Sequence, residues 1–531
     1  MRAPEPTPRF IVLAAALAAA LAIISGFEGC ATSSIDLAPA APDRPWQPPT
    51  DAGGNIVPGP PPSASEATRA GFTLPRSAAL ASIEPAAALD ANHAYTLPEL
   101  IDLAESTNPL TRIAWNDARN AALAAGIAKT AYLPQLTATA MGGYEAASGA
   151  ASTPLLGNTS TSSNIHGTVS VLSLQWLLFD FGGRRAHLDA ARELSVAANI
   201  AFTSVHQHVI HDVSVAYYTY EAASAREHTA QQALDNADGI LGAARARRKQ
   251  GVGTVVEVAQ ATQNRAQANL LKVQADGALS DSYLGLVSAL GISPLSKPVI
   301  APLPARTLTP ALHQSVDEIV TDALARRPDV QGAYALEQAN QAKIRAAESA
   351  FMPKIFLSAT AAYGTGTTSI TAIPPVGDQA ATVNLNGSRR SGSIFLGVTI
   401  PLYDGGLRSA VLMQARNDAD SASAQLTHTR QQAIRQIVAA QNGLSTSLAS
   451  NDAAKALVEA AQTTYDAAFA AYRHGVGTIT DALLTQNQLL AAQNAYADSY
   501  SAALSAAATL ALATGEIGSA SMEGEPSQQD H

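Results

Sequence analysis

The feature that most restricts how this 531-residue chain can fold is an internal duplication. Asn108-Pro109, Tyr132-Leu133-Pro134 and Tyr144 return 219 positions later as Arg327-Pro328, Phe351-Met352-Pro353 and Tyr363. Leu178-Phe179-Asp180, Gly251-Val252-Gly253-Thr254 and Gly291 return 224 positions later as Leu402-Tyr403-Asp404, Gly475-Val476-Gly477-Thr478 and Gly515. One insertion of about five residues, in the loop after Tyr144 or Tyr363, accounts for the change of offset. The chain must therefore be explained as one structural unit used twice.

Each unit reads the same way. A helix of roughly 30 residues ends at Leu133-Pro134 or Met352-Pro353, because the residue before proline is pushed to extended geometry. A strand follows at 136–145 or 355–363, then a Gly/Ser/Thr/Asn loop, then a second strand rich in β-formers at 168–179 or 393–403. The two strands form a hairpin. From Arg184 to Gln250 there is no proline, and Val205, Val209, Val213, Ala216 and Tyr220 make one apolar stripe at helical spacing. Ile434, Ile437, Leu444 and Leu448 do the same in the second unit. At ~1.5 Å per residue this helix reaches about 100 Å, longer than any globular domain needs. The Gly-Val-Gly-Thr breaks allow reversal, and a second helix returns to Gly291 or Gly515. Aromatic residues are only 5% of the chain, which is otherwise rich in alanine, and this suits long helices packed closely side by side.

The strands settle what such hairpins are for. About ten residues cross a bilayer obliquely, yet four strands cannot close a barrel. Unpaired backbone groups facing lipid cost several kcal/mol each, so other copies must complete the wall. Three copies give twelve strands and a water-filled lumen, continued by a tube of helices. The predicted fold is thus mainly α with membrane β: a duplicated strand-hairpin plus long helical-hairpin unit whose wall other copies must complete.

The flanks point to export. Arg2 and Arg9 precede an apolar run from Phe10 to Ile24, too short for a permanent span of roughly 20 residues. Cys30 is the only cysteine, so no intramolecular disulfide is possible. The stretch Ser25-Gly26-Phe27-Glu28-Gly29-Cys30 resembles a bacterial lipoprotein cleavage box, with Phe27 and Glu28 departing from its usual residues. That resemblance implies lipidation of Cys30; ordinary signal cleavage nearby is the competing reading. Residues 31–90 are rich in Pro, Ala, Ser and Gly and read as an extended tether or strap. The expected divisions are a signal peptide at 1–29, a lipid-anchored Pro-rich segment at 30–94, repeats at 95–300 and 301–516, and a disordered tail at 517–531.

The duplicated layout resembles the TolC-type outer-membrane efflux protein family over about residues 95–516. It is carried by the Leu133-Pro134 and Met352-Pro353 strand entries, the Phe179-Asp180-Phe181-Gly182 and Tyr403-Asp404-Gly405-Gly406 strand exits, and the two Gly-Val-Gly-Thr turns. With the lipoprotein-like box, the chain looks closest to the lipoprotein branch serving RND-type drug or metal pumps. The resemblance implies a homotrimer, a trimeric 12-stranded β-barrel in the outer membrane continued by a periplasmic α-helical barrel, docked to a periplasmic adaptor protein and an inner-membrane pump. By the same resemblance, Gly251, Gly253, Thr254 and Glu257, with Gly475, Gly477, Thr478 and Asp481, form tips that meet the adaptor. The plain alternative is that glycine permits the turn while Thr and the acid cap the returning helix. Some family members latch their tips with two acids and an Arg. Here Asp481 matches one acid and is the gate candidate, while Leu484 and Gly477 stand where the second acid and the Arg would be.

Other residues carry weaker signals. Arg245, Arg247, Arg248 and Lys249 either steer an acidic adaptor face or form a solvated one. His206, His208 and His211 cannot converge on one ion from a single helix. Trp176, Phe179 and Phe181 either sit at the membrane interface or pack against the first helix turn. A net charge of −10 argues against nucleic-acid binding. No nucleophile elbow, Walker loop or dinucleotide turn occurs in a plausible context, so neither enzyme chemistry nor a cofactor is expected. The functional expectation is a passive exit duct for small molecules. The alternatives are a type I protein-secretion duct and a non-transporting envelope scaffold lipoprotein.

Overall fold

The computed structural model describes residues 37–39, 41–43, 46, 48–59, 72–81, 89–90, 92–153, 157–304, 308, 316–366, 369–372, 375–376, 379–380, 383–386 and 390–518. The expected signal peptide, Cys30 and all but the start of the tail lie outside them. The chain forms two compact units, residues 1–86 and 87–531. In the first, Thr50 bridges Ile56 around a turn in which the Asp51 carboxylate accepts the N–H groups of Gly53 and Asn55, both at 2.9 Å. The Asn55 side-chain oxygen in turn accepts from the Ser77 hydroxyl at 2.6 Å. The Pro-rich segment, read from sequence as an extended tether or a strap, therefore contains one closed turn.

In the second unit, repeat one comprises β1 (Ala94–Tyr95), α1 (Leu97–Thr107), α2 (Pro109–Thr130), β2 (Gln135–Thr153), β3 (Gly157–Phe179), α3 (Gly183–Lys249) and α4 (Val255–Leu290). Repeat two comprises β4 (Val299–Ile300), α5 (Val316–Arg326), α6 (Pro328–Ser349), β5 (Lys354–Gly366), four short strands β6 to β9 (Ser369–Ala372, Pro375–Val376, Gln379–Ala380, Val383–Asn386), β10 (Arg390–Thr399), α7 (Leu407–His474) and α8 (Ile479–Thr514). The long helices and both reversals fall where the sequence pattern puts them.

Three local readings need correction. The expected 30-residue helix is two helices, because Asn108 and Arg327, each before a proline, are held extended (ψ 127° and 125°) and the proline opens the next helix. β2 and β3 run past the predicted ten residues: their pairing continues from Tyr144↔His166 to Thr153↔Gly157, beyond the last β3–β5 pair at Gly167↔Gly366. β10 stops at Thr399, ahead of Pro401, which has no N–H to donate to a ladder.

The main sheet is antiparallel in the order β10-β5-β3-β2, leaving β10 and β2 as free edges. Its register sorts the side chains by face. The row Leu136–Leu174–Ala359–Ile394 lies on one face and the adjacent row Thr137–Ser173–Thr360–Ser393 on the other. Ile394, Leu396 and Val398 stand exposed on the apolar face, while Thr360 and Ser393 share a 2.7 Å hydroxyl bond on the polar one.

The helices repeat this order. Next to the sheet they lie α7-α6-α3-α2, and further along α7-α8-α3-α4. One flank of the unit is therefore β2, α2 and α4, and the other is β10 and α7. Where the two helical layers meet, α1 buries Leu100 and Ile101 against Val213, Tyr217, Leu286 and Leu290. α5 sets Ile319 and Ala323 on Ile437, Leu444 and Leu510. Each such Leu or Ile contributes about 1.5–3 kcal/mol on full burial. Asn108 donates to the Ala289 carbonyl at 3.3 Å and its repeat mate Arg327 to the Ala513 carbonyl at 2.8 Å, joining α4 to α2 and α8 to α6 end to end.

Candidate functional site at the helical tips

Both tips are built by one turn. At the first, the N–H groups of Val252 and Gly253 donate to the Arg247 carbonyl at 3.1 Å; at the second, those of Val476 and Gly477 donate to the Ala471 carbonyl at 3.0 and 3.1 Å. The two glycines of each turn are required for different reasons. Gly251 and Gly475 have φ of +79° and +83°, where a side chain is strained. A Cβ on Gly253 would lie 2.8 Å from the Arg248 nitrogen, and one on Gly477 would lie 2.9 Å from the Ala471 Cβ.

The returning helices are then capped. The Thr254 hydroxyl accepts the Glu257 N–H and the Thr478 hydroxyl accepts the Asp481 N–H, each at 3.1 Å. The plain reading of the motif is thus correct for the threonines: they are N-caps. The two acids part ways. Asp481 is exposed and its carboxylate accepts the Thr478 hydroxyl at 2.7 Å. Glu257 turns away from Thr254 and accepts the Tyr472 hydroxyl at 3.4 Å, with Arg247 Nε 4.0 Å away.

Tyr472 is 1% exposed and occupies the centre of this group. The Arg247 guanidinium stands 5.1 Å from its ring centroid and donates to its backbone oxygen at 3.0 Å. Burial, with the Glu257 carboxylate beside it, pushes the Tyr472 hydroxyl above its usual range, so it remains a donor. These three residues tie the α3–α4 reversal to the end of α7, over an apolar base of Ile240, Leu241, Ala261, Ile479 and Leu489. Arg247 is therefore not a solvated charge, whereas Arg245, Arg248 and Lys249 are exposed. Neither Tyr472 nor the role of Arg247 is visible in the sequence. Repeat alignment places Arg248, not Arg247, opposite Tyr472, so the link does not follow the duplication.

The other sequence-flagged groups lie away from the tips. His206 pairs with Glu105 at 3.1 Å, and His211 reaches Asp212 at 3.0 Å and Thr509 at 3.2 Å, so these two have separate partners, while His208 is exposed. Trp176 sits on the apolar sheet face and donates to the Tyr132 carbonyl at 2.9 Å. Phe179 and Phe181 meet edge to face at 4.8 Å, both about half exposed.

The strand exits hold a clamp that the sequence motifs alone did not single out. Asp404 accepts the Arg408 N–H at 3.1 Å and its Nε at 2.6 Å, and Arg408 donates to the Pro401 carbonyl at 3.0 Å beneath the Phe351 ring. Asp180, Arg184 and Tyr132 repeat it in the first half. Asp-x-Gly-x-Arg recurring at both exits was the available signal. None of these groups joins a nucleophile to a base; what they can do is hold helices and strands in fixed relation.

Comparison with known proteins agrees with this architecture. The profile described as outer membrane efflux protein matches residues 100–292 and 319–516, one stretch per repeat. Protein CyaE of Bordetella pertussis is 29% identical over 82% of this chain and 86% of its own length. Outer membrane efflux protein BepC of Brucella suis is 28% identical over 74% of this chain and 79% of its own. A crystal structure of a membrane protein from Pseudomonas aeruginosa superposes with a TM-score of 0.66 at 25% identity, covering 79% of this chain and 93% of that one. The chain belongs to the outer membrane efflux protein family.

Proposed function

We propose that three copies of this chain close into one conduit, anchored in the outer membrane by its sheet and by a lipid on Cys30, and docked through its tips to a periplasmic adaptor and an inner-membrane pump of the RND type. The observation that carries this reading is the open sheet. Its apolar face suits lipid and its hydroxyl face suits water, yet β2 and β10 keep unpaired edges that lipid cannot satisfy. β2 runs antiparallel to a neighbour's β10 when copies are placed side by side, and the flanks α2 and α4 then meet the neighbour's α7. The conduit is passive: the pump supplies the energy, and the chain supplies a wall and an end. At that end the exposed Asp481 is the gate charge.

The test uses one engineered cysteine in β2 and one in β10, in a Cys30→Ser background. Oxidative cross-linking in membranes is expected to give dimer and trimer bands. A species that remains single-copy at every pair along the two edges would refute the assembly. Planar-bilayer conductance separates a duct from an envelope scaffold, which passes no current. Cross-linking from Thr254 or Thr478 tests the docking, and the mass of the mature N-terminus tests lipidation of Cys30.

A further inference from the structure

Resting on the tip docking proposed above, we infer that the partner surface meeting the first tip is acidic, and that Arg245, Arg248 and Lys249 are the residues that read it. These three positions lie at i, i+3 and i+4, within one turn and on one side of the end of α3, and all three are exposed. Like charges at that spacing repel one another. The negative end of the helix compensates one cation, as at other helix ends, and does not call for three.

The acids nearby do not relieve them. Among the described residues none of the three enters an ion pair: Glu257 is committed to Tyr472 and Arg247, and Asp481 to Thr478. In a chain of net charge −10, the first tip thus presents unopposed positive charge.

The surface beside these charges is apolar. Val252, Val255 and Val256 are 62–64% exposed around the first turn. A β-branched residue is not needed there for the turn or the cap. An apolar centre with a charged rim is the anatomy of a protein interface. A bilayer surface would favour exposed aromatic side chains beside the cations, whereas here Tyr472 is buried and Phe469 packs on the buried Tyr465.

The repeat supplies an internal control. The positions equivalent to Arg245, Arg248 and Lys249 are Phe469, Tyr472 and Arg473. At the second tip two of the three are therefore spent on packing: Tyr472 in the core, and Phe469 stacked on Tyr465 at 5.8 Å. The two tips share a turn and differ in charge, so an acidic partner engages the first more strongly than the second.

The experiment places a photoreactive residue at Thr254 in the full-length protein in cells and maps the captured peptide. It is repeated with Arg245→Glu/Arg248→Glu/Lys249→Glu, with the three Gln substitutions, and with Arg473→Glu. A captured protein segment rich in Asp and Glu is expected, with capture reduced about tenfold or more by the triple Glu variant and less by the Gln variant and by Arg473→Glu. Cross-linking bands from the β2/β10 pairs verify that each variant assembles, and the Gln series carries the test if the Glu series does not. A neutral or basic captured segment, or capture unchanged by either series, overturns the acidic partner and leaves tip docking standing. Capture of phospholipid in place of protein overturns it as well. Capture of nothing at both Thr254 and Thr478 removes the docking itself.

Discussion

Adding one methyl group at two glycines of the α3–α7 tip region should have opposite effects, and the structure gives both magnitudes. Gly475 closes α7 at φ +83°, and a Cβ there would also lie 3.1 Å from Arg247 Nη1. The left-handed backbone costs Gly475→Ala about 1–2 kcal/mol. Displacing Arg247, which is the flexible end of a side chain, weakens its 3.0 Å bond to the Tyr472 carbonyl by about another 1 kcal/mol. Gly242 lies inside α3, where an added Cβ would meet nothing within 4 Å, so Gly242→Ala gains about 0.5–1 kcal/mol of helix propensity. A tip can open without unfolding the remainder, so the loss appears as local opening. Strain alone makes amide exchange in peptides spanning 471–481 about 5–30 times faster in Gly475→Ala. Gly242→Ala should leave those peptides unchanged and slow exchange around 242. Hydrogen–deuterium exchange read by mass spectrometry decides this. Equal protection at 471–481 in wild type and Gly475→Ala would refute the argument that the turn requires a left-handed residue.

Three further outcomes follow from other parts of the molecule. Arg247→Ala removes the bond and the ring contact that join the two reversals, worth about 2 kcal/mol together, and should speed exchange in both tips at once, whereas Arg245→Ala should speed neither. Burial pushes the Glu221 carboxyl above its usual range even though it accepts the Leu303 N–H at 3.0 Å. The ionised form is therefore the disfavoured one, and the native state loses stability as pH rises from the unfolded carboxyl value through the raised folded value. Glu221→Gln keeps the acceptor, so melting midpoints of variant and wild type should diverge in the variant's favour over that rise; parallel curves would count against it. Arg408→Lys keeps the charge but loses the fork between Asp404 and Pro401 and the contact with Phe351. The temperature at which the detergent-extracted assembly loses its native size should fall, and should not fall for the exposed Arg185→Lys.

What could be read from the sequence depended on range. Long-period signals survived well: the proline-free run from 184 to 250 became one helix, and the Gly-Val-Gly-Thr repeats became reversals, because each is fixed by local backbone chemistry. Asn108-Pro109 is a break that reads as helix interior, since a proline that opens a new helix looks like one that interrupts an old one. The overhang of β2 and β3 had no strand signature, being Ser, Thr, Ala, Gly and Asn for most of its length. At the tips the motif residues were legible but their division of labour was not. Glu257 and Asp481 are equivalent in the repeat, and only the arrival of Tyr472 from α7 sends one carboxylate across to the other hairpin while the other stays on its cap.

That division has a consequence for the end of the conduit. In the three-copy assembly proposed above, the flanks β2/α2/α4 and β10/α7 would alternate, so six tips would surround the opening and first-repeat tips would alternate with second-repeat tips. A duplicated chain could make all six alike, and the shared turn makes their backbones nearly so. The side chains break that equivalence: Arg245, Arg248 and Lys249 face solvent on one set, and Phe469 and Tyr472 pack inward on the other. Charge and packing demand are therefore carried by different residues, so a partner that reads the exposed cations of the first set need not disturb the Tyr472 link, which joins the two tips. Mutations that abolish partner capture and mutations that loosen the tips should then fall in separate, threefold-repeated groups of residues, with Arg247 belonging to the second group although it sits among members of the first.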